Sequence, residues 1–112
     1  MIYAVDFDGT LCEDRFPEIG REIPERVNYL KALQKQGHKL ILWTCRQDCP
    51  LGQYLTRAIN WCNSRGLYFD AVNENLKEVQ EKWGGDTRKV FCDFYIDDKN
   101  LLPIILDHSK TP

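Results

Sequence analysis

The chain has 112 residues, 43% of them hydrophobic and 29% charged, which suits one packed core spanning 1–112 and is too short for two. A formal net charge of −2, without a block of like charges, argues against a nucleic-acid or anionic-membrane surface. The longest apolar runs fall far short of a membrane span and the N-terminus is already strand-like, so a soluble, cytoplasmic domain without a targeting segment is expected.

The run Ile2-Tyr3-Ala4-Val5 reads as a buried strand that climbs into Asp6-Phe7-Asp8-Gly9-Thr10-Leu11. Cys12 to Arg21 is polar and irregular, with Pro17 and Gly20. From Pro24 to Gln36, Val27, Leu30 and Leu33 recur at helical spacing; Pro24 suits the first turn and Gly37 the position just past the end. Lys39 to Thr44 is a second strand, ending in Thr44-Cys45-Arg46. A second helix is predicted from about Leu51 to Arg65, with Leu51, Leu55, Ile59 and Cys62 on one face and Gly66 closing it. Phe69 to Val72 is a short third strand ending in Asn73-Glu74-Asn75. Leu76, Val79 and Trp83 predict a short third helix stopped by Gly84-Gly85, and Val90 to Ile96 a fourth strand ending in Asp97-Asp98. One more apolar run, Leu101 to Leu106, is interrupted by Pro103.

Helices alternating with near-continuous apolar strands predict an α/β fold with a parallel sheet covered on both faces. In such sheets ligands bind beyond the carboxyl ends of the strands. All four strands exit into polar groups: Asp6 and Asp8, Thr44 and Arg46, Asn73 and Asn75, Asp97 and Asp98. Their starts carry no comparable set, though Lys89 precedes the fourth.

Asp6 and Asp8, two apart, leave the strand on the same side. Two close carboxylates cannot both stay ionised without a cation or a large pKa shift, and a hard divalent cation such as Mg2+ answers that need. The five cysteines, Cys12, Cys45, Cys49, Cys62 and Cys92, are odd in number and scattered, so reduced thiols are expected. Cys45 and Cys49 lack the second pair that a zinc site requires. His38 lies in a helix-to-strand turn at the opposite end of the sheet and His108 in a polar tail, so neither suits catalysis. Trp43, Trp61 and Trp83 have apolar spacing and are expected in the core.

With these segments in hand, the chain resembles the haloacid dehalogenase superfamily, whose members are mostly Mg2+-dependent phosphatases. Asp6-Phe7-Asp8-Gly9-Thr10 matches its first motif at every position. Thr44 is similar to the second-motif Ser/Thr, Lys89 looks like the third-motif lysine, and Ile96-Asp97-Asp98 looks like the acidic fourth motif. The resemblance covers roughly residues 1–100, in the family order. It implies a Rossmann-like three-layer α/β/α sandwich with four to five parallel strands in the spatial order 4-1-2-3, a fifth lying beyond the fourth. No insertion is long enough for a cap domain.

The resemblance further implies a phosphoester hydrolase working through an aspartyl-phosphate on Asp6. Asp8 would be the general acid and base, lending its backbone carbonyl to the metal. Asp6 and the Asp97-Asp98 pair would supply side-chain oxygens to Mg2+, Asp98 being favoured as the direct ligand. Thr44 and Cys45 would meet the phosphoryl group, and Lys89 would neutralise its charge, with Arg88 and Lys82 as competitors. Arg46 and Arg15 are candidates for a second substrate anion, because guanidinium groups suit bidentate contacts. Asn73 and Asn75 are pocket candidates from the third strand.

The phosphorylated substrate is not specified by the chain. An uncapped site is completed either by a large substrate or by a second copy, as a homodimer. The alternative is a non-catalytic metal- and phosphate-binding regulatory module with the same fold. A receiver domain is excluded because its phosphorylated Asp ends the third strand, where this chain has Val72-Asn73.

Overall fold

A computed structural model of the chain describes residues 1–100; the run from Leu101 to Leu106, with the expected fifth strand, lies outside them. The elements are β1 (Ile2–Val5), β2 (Cys12–Arg15), β3 (Glu18–Glu22), α1 (Pro24–Lys35), β4 (Lys39–Leu42), β5 (Asp48–Cys49), β6 (Gly52–Gln53), α2 (Tyr54–Asn63), β7 (Ala71–Val72), α3 (Lys77–Trp83) and β8 (Phe94–Ile96).

Among the described residues the fold is α/β, with three helices and a four-stranded sheet in the order β7-β4-β1-β8. Every pairing in that sheet is parallel: Ile2 to Val5 align with Lys39 to Leu42, Tyr3 to Val5 with Phe94 to Ile96, and Ile41-Leu42 with Ala71-Val72. Counted as the four strands predicted from the sequence, this is the expected order 4-1-2-3.

Successive strand residues feed opposite sides. Val5, Leu40 and Leu42 join Val27, Leu30 and Leu33 of α1 and Ala58 and Cys62 of α2 in one buried cluster. Ala4 and Ile41 join Leu76 and Val90 in a second, with Val79 of α3 packed against it. Two covered faces explain why Leu40-Ile41-Leu42 is apolar without alternation. Each such side chain, once buried, contributes roughly 1.5–3 kcal/mol against leaving it in water. Helix α1 begins on Pro24 and ends at Lys35; just beyond it Gly37, with φ of +90°, lets the amides of Gly37 and His38 return to the carbonyls of Gln34 and Leu33.

Several expectations are corrected. Residues 12–21, predicted irregular, form with Glu22 the antiparallel β2–β3 hairpin. Its charged sequence hides the strand period because only Cys12 and Ile19 turn toward the core. Leu51 is 86% exposed in the small β5–β6 hairpin, so α2 starts three residues later than expected, at Tyr54. Trp83 is 66% exposed at the end of α3, whereas Trp43 and Trp61 pack against the core. The fourth strand is limited to Phe94–Ile96 because buried Asn75 pins the chain before it. The Asn75 amide group donates to Asp86 Oδ1 (2.7 Å), and its Oδ1 accepts from the Phe91 amide (2.6 Å).

At the amino end of the sheet, two carboxylates extend the backbone ladder. Asp93 Oδ2 accepts the Ile2 amide at 2.6 Å, and Asp70 Oδ2 accepts the Leu40 amide at 2.9 Å.

Candidate functional site

The carboxyl ends of β1, β4, β7 and β8 meet at one edge of the sheet, and Asp6, Asp8, Thr44, Cys45, Arg46, Asn73 and Asp97 gather there. The Asp6 amide donates to the Ile96 carbonyl (2.9 Å), which continues the β1–β8 ladder and sets Asp6 beside Asp97. Oxygens of Asp6, Asp97 and Asp98 all lie within 4.8 Å of one another. Among the described residues this is the one cluster of three or more acidic, His or Cys ligands.

Phe7 turns the other way, fully buried and edge-on to Trp61. After Asp8 the chain reverses tightly: the amides of Thr10 and Leu11 both return to the Phe7 carbonyl. Gly9 has a φ of +83°, and a Cβ there would lie 2.1 Å from Asp98 Oδ2. Gly9 thus serves two needs at once, a left-handed turn and room for the carboxylate arriving from β8. Arg26 of α1 holds the turn from outside by donating to the carbonyls of Gly9 and Thr10 (3.0 and 3.2 Å). The Thr10 hydroxyl, itself buried, donates to Asp6 Oδ2 at 3.2 Å.

Burial, and next the neighbouring charge of Asp97, push the Asp6 carboxyl up to about 6, against the opposing hydrogen bond from Thr10. Asp6 and Asp8 do not share one environment. Asp8 pairs with Arg46, whose Nε and Nη2 donate to its two oxygens at 2.8 Å each. The expected crowding of Asp6 against Asp8 is therefore corrected: Asp8 has its own cation, and Asp6 is crowded by the β8 acids.

Asp6, Asp8, Asp14, Phe16, Thr44, Cys45, Arg46, Asp97 and Lys99 line one cavity of about 300 Å³. The amide of Thr44 is held by Asn73 Oδ1 (2.8 Å), and Thr44 Oγ1 accepts the Arg46 amide (3.1 Å). Thr44 itself lines that cavity. Asn73, with φ of 54°, also donates to the Arg46 carbonyl (3.4 Å), so it braces the β4 loop and lines the adjoining pocket with Asp6 and Thr44. Asn75 is buried and structural, as described above.

Three sequence candidates lie differently from expectation. Lys89 lines another groove, with Val79, Trp83 and Tyr95; the residue before buried Val90 follows Val90 to the α3 side of the sheet. The lysine on the Asp6 cavity is Lys99, 3.8 Å from Asp98 and fixed by its amide on Asp97 Oδ1 (2.8 Å). Sequence reasoning missed it, although it directly follows the acidic pair. Arg15 points to Glu13 on the exposed hairpin. Arg46 is 1% exposed and already committed to protein acceptors.

The fold and site define an α/β protein with an acidic cluster beyond the carboxyl ends of a parallel sheet. No protein-family model and no curated protein matches the chain. A solved structure, of a conserved protein from Bacteroides thetaiotaomicron, is 44% identical with a TM-score of 0.78, over 98% of this chain and 89% of that one. At that identity and coverage the chain belongs to the same family as that conserved protein. Among the described residues, no helix is long and apolar enough to cross a membrane.

Proposed function

We propose that the chain is a Mg2+-dependent phosphoester hydrolase of the haloacid dehalogenase superfamily, on a Rossmann-like three-layer sandwich without a cap. The observation that carries this reading is the junction of β1 and β8. There Asp6, Asp97 and Asp98 converge beside Gly9, and burial and charge hold Asp6 at about 6. Carboxylate oxygens are the donors Mg2+ prefers, and three within 4.8 Å of one another fit one cation. Asp6, Asp97 or Asp98, and the Asp8 carbonyl would hold it. When bound, Mg2+ supplies positive charge that keeps Asp6 ionised and offsets the charge on the phosphoryl oxygens.

In this reading an Asp6 oxygen attacks phosphorus. The bond to the leaving oxygen breaks with its electron pair, and Asp8, entering the step as the neutral acid with its proton on the oxygen turned away from Arg46, protonates the leaving oxygen. Water then attacks the aspartyl-phosphate and gives its proton to Asp8, and the bond from phosphorus to Asp6 breaks to release phosphate. The Thr44 hydroxyl donates to a phosphoryl oxygen, with Cys45 beside it on the cavity wall. Lys99 takes the charge-neutralising part that the resemblance gave to Lys89. Phosphoryl transfer asks for such positioning and charge stabilisation above all. The cavity of about 300 Å³ has room for a phosphoryl group and part of the group that carries it. Without a cap, the rest of the substrate, or a second copy of the chain, covers it.

A panel of phosphoesters assayed with and without Mg2+, with Asp6→Asn as control, tests the reading. Metal-dependent turnover by wild type alone is expected. Mg2+ binding without turnover across the panel would instead favour the regulatory binding module.

A further inference from the structure

We infer that Arg46 is a positioning residue for Asp8 and not a contact for the substrate anion; this rests on the phosphatase reading above. A guanidinium has five N–H donors, and all five of Arg46 face protein acceptors. Nε and one proton of Nη2 hold the two Asp8 oxygens, both at 2.8 Å. The second Nη2 proton meets the Glu18 carbonyl at 3.1 Å. Nη1 donates to the carbonyls of Pro17 and Tyr54, each at 3.3 Å. Its planar faces are packed too, since the guanidinium carbon lies 5.1 Å from the ring centroids of both Phe7 and Phe16. The side chain is 1% exposed. A phosphate could take a donor only by displacing Asp8 or one of the three carbonyls.

Those acceptors belong to three separate parts of the fold: the turn after β1, the β2–β3 hairpin and the first residue of α2. One side chain therefore fixes where the Asp8 carboxylate sits relative to Asp14 and Phe16, the hairpin residues on the cavity wall. When Asp8 turns one oxygen toward a leaving group, the other stays on Arg46 and keeps the orientation. Bidentate geometry is what permits this, and an ammonium, being a point charge, cannot reproduce it.

The test is a double-mutant cycle on the Mg2+-dependent turnover of an aryl phosphate. Arg46→Ala empties a buried site with five hydrogen bonds, so Arg46→Lys is the variant to measure, with its fold checked by circular dichroism. Asp8→Asn should lower kcat by about 10²–10⁴-fold. Arg46→Lys should lower kcat by about 10²-fold, the cost of a misplaced catalytic group, with KM and inhibition by inorganic phosphate unchanged. On the Asp8→Asn background Arg46→Lys should cost nothing further. Asp8→Asn should also speed amide exchange in the 12–22 hairpin. Equal losses on both backgrounds, a rise in KM with kcat retained, or unaltered hairpin exchange would each overturn the role. A wild-type protein inactive on every phosphoester overturns the reaction and this role together, whereas turnover with additive losses overturns the role alone.

Discussion

The two ends of the sheet carry the same residue type to opposite effect. At the amino end, Asp70 and Asp93 accept the backbone amides of Leu40 and Ile2, and so lengthen the ladder. At the carboxyl end, Asp6, Asp97 and Asp98 crowd together, and Asp6 is driven up to about 6. A carboxylate that completes a hydrogen-bond ladder needs nothing from outside the chain. Three carboxylates in one cluster leave a negative charge that an external cation can balance. The difference lies in the backbone: amides are free at the starts of parallel strands, while the exits of β1 and β8 bring side chains into one another.

The largest expected effect follows from exchanging acids at the two ends. Asp6→Asn should abolish Mg2+-dependent turnover, whereas Asp93→Asn, at the other end of the sheet, should leave it in place. Loss of activity in both, with both folded, would remove the distinction. Next comes Gly9→Ala, which places a Cβ 2.1 Å from Asp98 Oδ2 at a φ of +83°. The left-handed backbone costs roughly 1–2 kcal/mol, read as a lowered denaturation midpoint. Displacement of Asp98 should weaken Mg2+ binding as well, as measured by calorimetry. An unchanged affinity would take Asp98 out of the metal's reach.

A smaller effect is the pH dependence of the metal-free protein. The folded Asp6 carboxyl titrates at about 6 against an ordinary 3.8, so the folded state holds an extra proton between those values. The stability this gives is fully present below about 3.8 and is lost as pH rises through about 6. Urea midpoints in the presence of a chelator should therefore fall with rising pH more in wild type than in Asp6→Asn, and Mg2+ should offset the fall. Parallel profiles would contradict the crowding. The smallest effect is expected of Asp70→Asn, which weakens the hydrogen bond to Leu40: about 1 kcal/mol or less in urea unfolding, and no change in turnover.

Much of this was legible in the chain itself. Near-continuous apolar runs marked the sheet strands because both faces of the sheet are covered, and Pro24 and Gly37 bounded α1 through backbone geometry. The acids at Asp6 and Asp97-Asp98 were found because they follow strands directly. What escaped depended on long-range placement. Arg46 and Lys99 are both cations next to strand-end polar residues. Nothing local tells that Arg46 folds inward onto Asp8 and three carbonyls while Lys99 stays at the cavity. Lys89 was misplaced because its position follows from Asn75, which holds the chain before β8 off the sheet. The β2–β3 hairpin escaped because an exposed ribbon need not alternate, and Trp83 because helical spacing does not show which face has a partner.

The central claim is that Asp6 carries the phosphoryl group. Wild type should be mixed with an activated phosphoester and Mg2+, quenched in acid within the first turnovers, and mapped by peptide mass spectrometry. A phosphoryl group on Asp6, dependent on Mg2+ and absent from Asp6→Asn, is the result predicted. Turnover with Asp6 unmodified, or with the phosphoryl group on another residue, would contradict the account.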